Sequence, residues 1–335
     1  MAKRHSICIL GGTGFVGQHL AAELVRDGHQ VKALTRYRPG GRELWILPTL
    51  DMREADVHDP QTLEREFQDC DAVINLVGIL NENDRDGERF SDAHVELPRK
   101  IAQACLDTGV RRFLHMSALG ADADNGPSAY LRSKGAGEQA VRSVLEDSDT
   151  TRWTLFRPSV IYGHGDSFIN RFVTLLKLSP PPFFPLPGAH ARMAPVYVGD
   201  VAKAFQIALD DRHTAGKIYE LCGPKSYTLQ ELVSYIARQS GRHRNVIPMP
   251  ESIARLQARF AEKIPGKPLS RDNLDSLKAD SVCSGEQPGL AELGIEPTLL
   301  EAQVPVLLHK VGARARYYEY RKEFRSHERL DDITR

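Results

Sequence analysis

Short apolar runs recur through the first half of the chain, each followed by a segment with apolar residues at helical spacing. Ser6-Ile7-Cys8-Ile9-Leu10 opens the series and suits a buried parallel strand. Val16, Leu20, Ala21 and Leu24 then share one face of a helix that Gly28 closes. Further strands are predicted at 30–35, 50–55, 71–78, 111–116 and 153–156. Helices are predicted from Asp59-Pro60, over 91–109 with Pro98 inside, and from Ser128 to about 146, while 37–48 and 79–90 read as loops. Strand and helix alternate at a spacing that predicts right-handed βαβ units, an α/β doubly wound parallel sheet, and a ligand at the carboxyl ends of its strands.

The second half is less regular. Residues 167–178 read as helix, and the five prolines of 179–188 argue for a rigid loop that covers a cleft or braces a lobe. Residues 193–198 lead into a helix whose first turn carries Asp200. A strand at 216–221 follows, then a helix capped by Thr228, and beyond about 240 the pattern is helical and poorly diagnostic. The expected division is a nucleotide domain over 1–165, with returns from about 193–222, and a smaller, mostly helical substrate lobe over 166–335. The lobe ends in a tail, 314–335, with seven Lys/Arg against five Asp/Glu, which suits a solvated helix or docking to a partner or an anionic membrane.

Between the first strand and the first helix stands Gly11-x-x-Gly14-x-x-Gly17. In that context the glycines allow the sharp turn and let the backbone approach a pyrophosphate, which then meets free N–H groups at the positive helix end. This is the start of a Rossmann-type fold, with Gly11, Thr13, Gly14, Phe15, Val16 and Gly17 as cofactor-binding candidates. Arg36 lies 19 residues past Gly17, where such folds place the group that reads the adenosine ribose. An acidic residue there would bind a 2′-hydroxyl, whereas a guanidinium suits a 2′-phosphate. With Arg38 close by, NADP(H) is favoured over NAD(H).

Charge and cysteine content narrow the classes. The 335 residues hold 44 Lys/Arg and 44 Asp/Glu, so the overall balance points to no nucleic-acid partner. The five cysteines form no C-x-x-C, and Cys8, Cys70 and Cys105 sit in or beside apolar segments, as buried free thiols do. No metal-ligand spacing is present among the twelve histidines. Residues 1–10 lack the long apolar core of a signal peptide, and no stretch has the roughly 18 apolar residues of a spanning helix. The chain reads as cytoplasmic, with peripheral association at the inner face of a membrane left open.

Ser117 follows the fifth strand, on the predicted ligand edge, and Tyr130 and Lys134 lie one turn apart on the next helix. A free phenol has a pKa near 10. A lysine ammonium about 4 Å away would lower it by approximately three units at an effective dielectric of about 20. Tyr130 would then move a proton while Ser117 hydrogen-bonds the substrate oxygen. The same lysine serves equally well to hold a nicotinamide ribose without any turnover.

Gly11-x-x-Gly14-x-x-Gly17, Asp56-Val57, Asn75-x-x-Gly78, Ser117, Tyr130-x-x-x-Lys134 and Arg157-Pro158-Ser159-Val160-Ile161-Tyr162-Gly163 together resemble a short-chain dehydrogenase/reductase of the extended or atypical branch, which includes the NAD-dependent epimerase/dehydratases. The resemblance implies that Asp56 and Val57 contact the adenine, and that Leu76, Val77 and Gly78 pass under the adenosine ribose. It further implies that Pro158 to Val160 line the nicotinamide, and that Ser117, Tyr130 and Lys134 are the catalytic triad. Residues 115–120 and 130–138 are similar to the subgroup of the nucleotide-binding accessory subunit of respiratory complex I and a protein tied to coenzyme Q biosynthesis. Two departures argue against a nucleotide-sugar substrate: only thirteen positions separate Ser117 from Tyr130, and His94 stands where those enzymes often carry Asn.

Three functions are open. One is an NADP(H)-dependent oxidoreductase or epimerase-type enzyme acting on an unidentified small molecule. Another is an accessory or assembly protein of respiratory or quinone metabolism that holds its nucleotide structurally. A sensor of NADP redox state is a third. Helix pairing of the kind many relatives use would allow a homodimer.

Overall fold

The computed structural model describes residues 4–80, 88–262 and 269–309. The chain begins with β1 (Ser6–Leu10), α1 (Phe15–Arg26), β2 (Gln30–Thr35), β3 (Leu50–Glu54), α2 (Pro60–Phe67), β4 (Ala72–Asn75) and a short α3 (Glu88–Ser91). It continues through α4 (Leu97–Thr108), β5 (Arg112–Met116), α5 (Ala129–Leu145) and β6 (Arg152–Pro158). The second half adds β7 (Ile161–Tyr162), α6 (Phe168–Leu178), β8 (Phe183–Leu186), β9 (Arg192–Met193), β10 (Val196–Tyr197), α7 (Val198–Asp210) and β11 (Lys217–Leu221). It closes with β12 (Tyr227–Thr228), α8 (Leu229–Gln239), β13 (Asn245–Pro248), α9 (Glu251–Ala261), α10 (Arg271–Ser276) and α11 (Leu300–His309).

Seven strands form one parallel sheet in the order β11-β6-β5-β4-β1-β2-β3. Alternation along β1 builds the core on both faces. Ile7 and Ile9 point toward α1 and α7, among Leu20, Leu24, Val201 and Phe205. Cys8 and Leu10 point toward α2, α4 and α5, among Phe67, Ile101, Phe113 and Val141. A third core fills the lobe around Tyr162, Phe184, Leu232 and Val304.

The expected signals act locally as they should. The Asp59 carboxylate accepts from Gln61 N and Thr62 N at the head of α2, Ser128 Oγ accepts from Leu131 N at the head of α5, and Thr228 makes a capping box with Glu231 on α8. Gly109 ends α4 at φ +73°.

Several expectations are corrected. Residues 38–46 form a 3₁₀ segment rather than a loop, although Trp45 is exposed as expected. The predicted 91–109 helix starts at Glu88 and passes through a π-helical turn, Asp92–Glu96, which places Pro98 in the first turn of α4, where a missing N–H costs little. β4 stops at Asn75, because its Oδ1 accepts from Val77 N and turns the chain out of the sheet. The proline-rich stretch is not wholly irregular: β8 pairs in parallel with β13, and the N–H groups of Asn245 and of Met249, just past β13, donate to the carbonyls of Pro182 and Leu186. Proline there keeps its acceptor, and a two-stranded ribbon leaves one edge free to carry it. Beyond 240, β13 and a long non-helical stretch between α10 and α11 break the helical pattern. Cys8, Cys70 and Cys105 are free and buried, but Cys222 and Cys283, 61 residues apart, form a disulfide that spacing did not signal. The 314–335 tail lies outside the described residues.

Candidate functional site

The glycine turn is built for close approach. Gly11 adopts φ +79°, and a Cβ there would press on the backbone of Leu76 and Val77 at 3.1–3.3 Å. A Cβ on Gly17 would lie 2.3 Å from the Gly11 carbonyl oxygen, so only glycine lets α1 sit this tightly against the end of β1. Gly14 is the N-cap of α1 and supplies no side-chain acceptor, which leaves the first N–H groups of the helix for an anion. Such a cradle fits the pyrophosphate of a dinucleotide.

The other cofactor candidates surround it. Thr13 Oγ1 lies 3.5 Å from Thr35 Oγ1, Val16 is buried in the α1 core, and Phe15 packs half-buried beside the Gly163–Gly165 turn. Arg36 follows directly on β2 and is exposed at that edge, while nothing is described of the Arg38 side chain. The Asp56 carboxylate accepts from His58 N within its own turn, and Val57 is buried in the α2/α4 core. Leu76 is buried, Val77 donates to Asn75, and Gly78 faces Lys134, whose Nζ would be 3.2 Å from a Cβ added there. Pro158 ends β6, its carbonyl taking Leu119 N, and the Val160 carbonyl takes Val196 N.

At the carboxyl end of β5 the chemistry-bearing side chains gather. Ser117 is buried, 4% exposed, and its Oγ has no hydrogen-bond partner among the described residues. Lys134 Nζ donates to the carbonyl of Met116, the residue before it, at 3.1 Å, and so sets the Tyr130/Lys134 face of α5 against the strand end. Burial pulls the Lys134 ammonium down to about 8, with Glu138 opposing. Glu138 is itself held by Arg157 through two hydrogen bonds of 2.8 and 2.5 Å.

Tyr130 departs from expectation. Burial, with the Asp272 carboxylate adding to it, pushes the phenol up to about 12 instead of down. An ordinary phenol is already protonated at neutral pH, and this shift makes Tyr130 a weaker acid still.

Three features here had no sequence signal or only a partial one. His94 Nε2 accepts from Ile79 N, so Nδ1 carries the proton and donates to Ser133 Oγ, which donates to the Tyr130 carbonyl. The imidazole also meets the Tyr130 ring edge-on at 5.6 Å. His115 Nδ1 accepts from Asn75 Nδ2, leaving its buried Nε2 without a partner among the described residues. Burial, with Lys134 adding to it, lowers His94 to about 2 and His115 to about 3.

The third feature comes from the lobe. Asp272 of α10 accepts from Ala129 N at 2.6 Å and Tyr130 N at 3.3 Å, capping the helix that carries the tyrosine. Ser276 Oγ donates to Ser128 Oγ, Ser159 Oγ donates to the Ser281 carbonyl, and Cys283 is tied to Cys222. Residues 270–284 thus form a strap across the cleft. Asp200, by contrast, binds Thr298 N and Oγ1 and is structural.

A seven-stranded parallel sheet with a glycine cradle at its carboxyl edge defines an NAD(P)-binding Rossmann protein. The sequence profile of the NAD dependent epimerase/dehydratase family matches residues 7–222, and the chain belongs to that family. It is 33% identical over 300 residues to subunit 9 of the NADH dehydrogenase [ubiquinone] 1 alpha subcomplex of Mus musculus mitochondria, covering 88% of this chain and 77% of that one. It is 28% identical over 250 residues to a ceramide reductase of Caulobacter vibrioides, covering 74% of each. The fold resembles a Streptomyces venezuelae dTDP-glucose 4,6-dehydratase with TM-score 0.70 at 20% identity, covering 92% of this chain and 98% of that one. No helix among the described residues is long and apolar enough to cross a membrane, and no cluster there has the makings of a metal site.

Proposed function

We propose that the protein is an NADP(H)-dependent oxidoreductase that reduces a carbonyl group on a lipid-like substrate. The observation that carries this reading is the buried, unpartnered Ser117 hydroxyl beside a face of α5 that carries Tyr130 and on which Lys134 is anchored. Ser117 donates a hydrogen bond to the substrate oxygen and orients it. Tyr130 delivers its proton to that oxygen, and the Lys134 ammonium stabilises the phenolate left behind. NADP(H), when bound in the glycine cradle, supplies the hydride. Arg36 would grip the 2′-phosphate. The Caulobacter relative supports the lipid class of substrate.

The mouse relative, with the higher identity over more of the chain, favours a second reading as a nucleotide-holding accessory protein of a respiratory assembly. One experiment separates the two. The protein is denatured to identify its nucleotide, and binding and exchange of NADPH and NADH are then measured on refilled protein, with NADPH oxidation followed on a panel of long-chain ketones and quinones. Fast-exchanging NADPH, with turnover that Tyr130→Phe cuts by about 100-fold or more, supports the enzyme. NADPH that exchanges only over hours, with no turnover, supports the accessory role, and a preference for NADH removes Arg36 as selector.

A further inference from the structure

We propose that α9, with the adjoining β8–β13 ribbon, is a docking surface for an anionic lipid bilayer. α9 is built inside out. Its inner face is made of alanines, Ala254, Ala258 and Ala261, all buried. Its large apolar residues point outward: Ile253, Leu256 and Phe260 are 54, 57 and 62% exposed. At 100° per residue these three fall within about 60° of one another, a single stripe along the helix. A helix that only packed on its own lobe would have the opposite pattern, because exposed leucine, isoleucine and phenylalanine gain nothing from water.

The stripe has company. On the neighbouring ribbon Phe183 and Ile247 are 53 and 41% exposed, standing on the outward positions of β8 and β13 opposite Asn245 and Pro185. Ile247 stands on the strand that leads directly into α9, and exposed large apolar side chains grouped along one stretch of a fold mark interaction sites more than singly scattered ones do.

Charge selects the occupant. The chain as a whole is balanced, yet residues 238–262 hold five arginines (238, 242, 244, 255 and 259) against two acidic residues (251 and 262). Of the two arginines on α9, Arg255 is paired with Glu251 and Asp275, and Arg259 has no ion pair among the described residues. Arg259 lies about a quarter-turn round from the stripe and is exposed. Apolar residues flanked by arginine on the outer face of a helix match the boundary between acyl chains and anionic headgroups, where the apolar stripe enters and guanidinium groups stay at the phosphates. The surface is continuous with the cleft: Arg255 binds Asp275 of α10 at 2.8 Å, and α10 supplies Asp272 to the helix of Tyr130. The proposal does not depend on whether the site turns over.

The test is sedimentation of the full chain with vesicles of phosphatidylcholine alone and of phosphatidylcholine with 30% phosphatidylglycerol, an arbitrary composition set at about one-third anionic lipid. Binding is expected only to the anionic vesicles, weakening as salt rises. The triple variant Ile253→Ser/Leu256→Ser/Phe260→Ser is expected to lose affinity on the order of 100-fold, and Arg259→Glu about 10-fold. All four side chains are exposed, so thermal melts should be unchanged, and a variant tail without 314–335 should still bind. The proposal is overturned if the wild type ignores anionic vesicles, or if the α9 variants bind as well as it does. It is equally overturned if the stripe proves to drive self-association that the triple variant abolishes, which would assign the face to a second copy of the chain.

Discussion

His94 and His115 show how much a buried side chain's neighbours decide. Both feel the Lys134 charge, both are 1% exposed, and each uses one ring nitrogen to accept a hydrogen bond, from Ile79 N and from Asn75 Nδ2. The neutral form alone can do that, and burial with the nearby ammonium holds both rings far below the ordinary histidine value of about 6.5. In the unfolded chain both would protonate below that pH. Between about pH 6.5 and 3 the unfolded state therefore binds two protons the native state refuses, and stability falls as pH falls. The slope is about 1.4 kcal/mol per pH unit for each histidine, or roughly 2–3 for the pair. Denaturant titrations at pH 6.5, 6 and 5.5 should show it, and His94→Asn should remove about half. An unchanged slope in that variant would mean the imidazole is charged in the fold. Arg112 is the contrasting case: also buried, it spends its donors on the Ala208 and Arg152 carbonyls and the Thr154 and Thr214 hydroxyls, and has no acidic partner among them.

At the scale of elements, α5 is the piece on which everything converges. Its own Ser128 caps one N–H, Asp272 takes two more from across the cleft, and Lys134 fixes its face to β5. Asp272→Ala should cost about 1 kcal/mol of stability, as losing a helix cap does. Asp272→Asn keeps one of the two acceptors and removes the charge, so it should cost less stability than Asp272→Ala while lowering the Tyr130 titration, read from labelled tyrosine against a Tyr130→Phe control. If both variants leave that titration where it was, the carboxylate does not govern the phenol. These elements also show where the sequence speaks and where it stops. The glycine turn, the strand runs, and the Tyr130/Lys134 pair one turn apart are local patterns, legible because backbone period and turn chemistry fix them. Asp272 lies 142 residues beyond Tyr130 in a stretch without periodicity, and its role arises only when the lobe folds back. The same holds for the Cys222–Cys283 bond, and for the raised phenol of Tyr130, which burial and the Asp272 carboxylate set.

For the molecule as a whole, the outer faces of α4 and α5 bear on assembly. They present Arg99, Gln103, Asp107, Arg132, Gln139, Ser143 and Glu146, all exposed. A stable helix-paired dimer needs an apolar centre to that surface, and here the exposed positions are polar or charged, with the apolar Leu106, Ala136, Ala140 and Val144 only half-buried between them. Light scattering after size exclusion at micromolar concentration should therefore return a single chain of about 37 kDa, and a dimer held through these helices would show the polar face to be an interface after all.

The strap gives the molecule an order in time. A chain is made from its amino end, and residues up to 222 contain the glycine cradle, every strand of the main sheet, Ser117, Tyr130 and Lys134. Asp272, Ser281 and Cys283 emerge only 50 to 61 residues later, about 3–12 s behind at ordinary rates of synthesis of roughly 5–20 residues per second. Through that interval the nascent protein has the residues of the glycine cradle yet lacks the carboxylate that fastens the tyrosine's helix. A stalled chain whose residues up to 222 have cleared the ribosome should therefore bind nucleotide without the closed site, if the cradle acts independently of the strap.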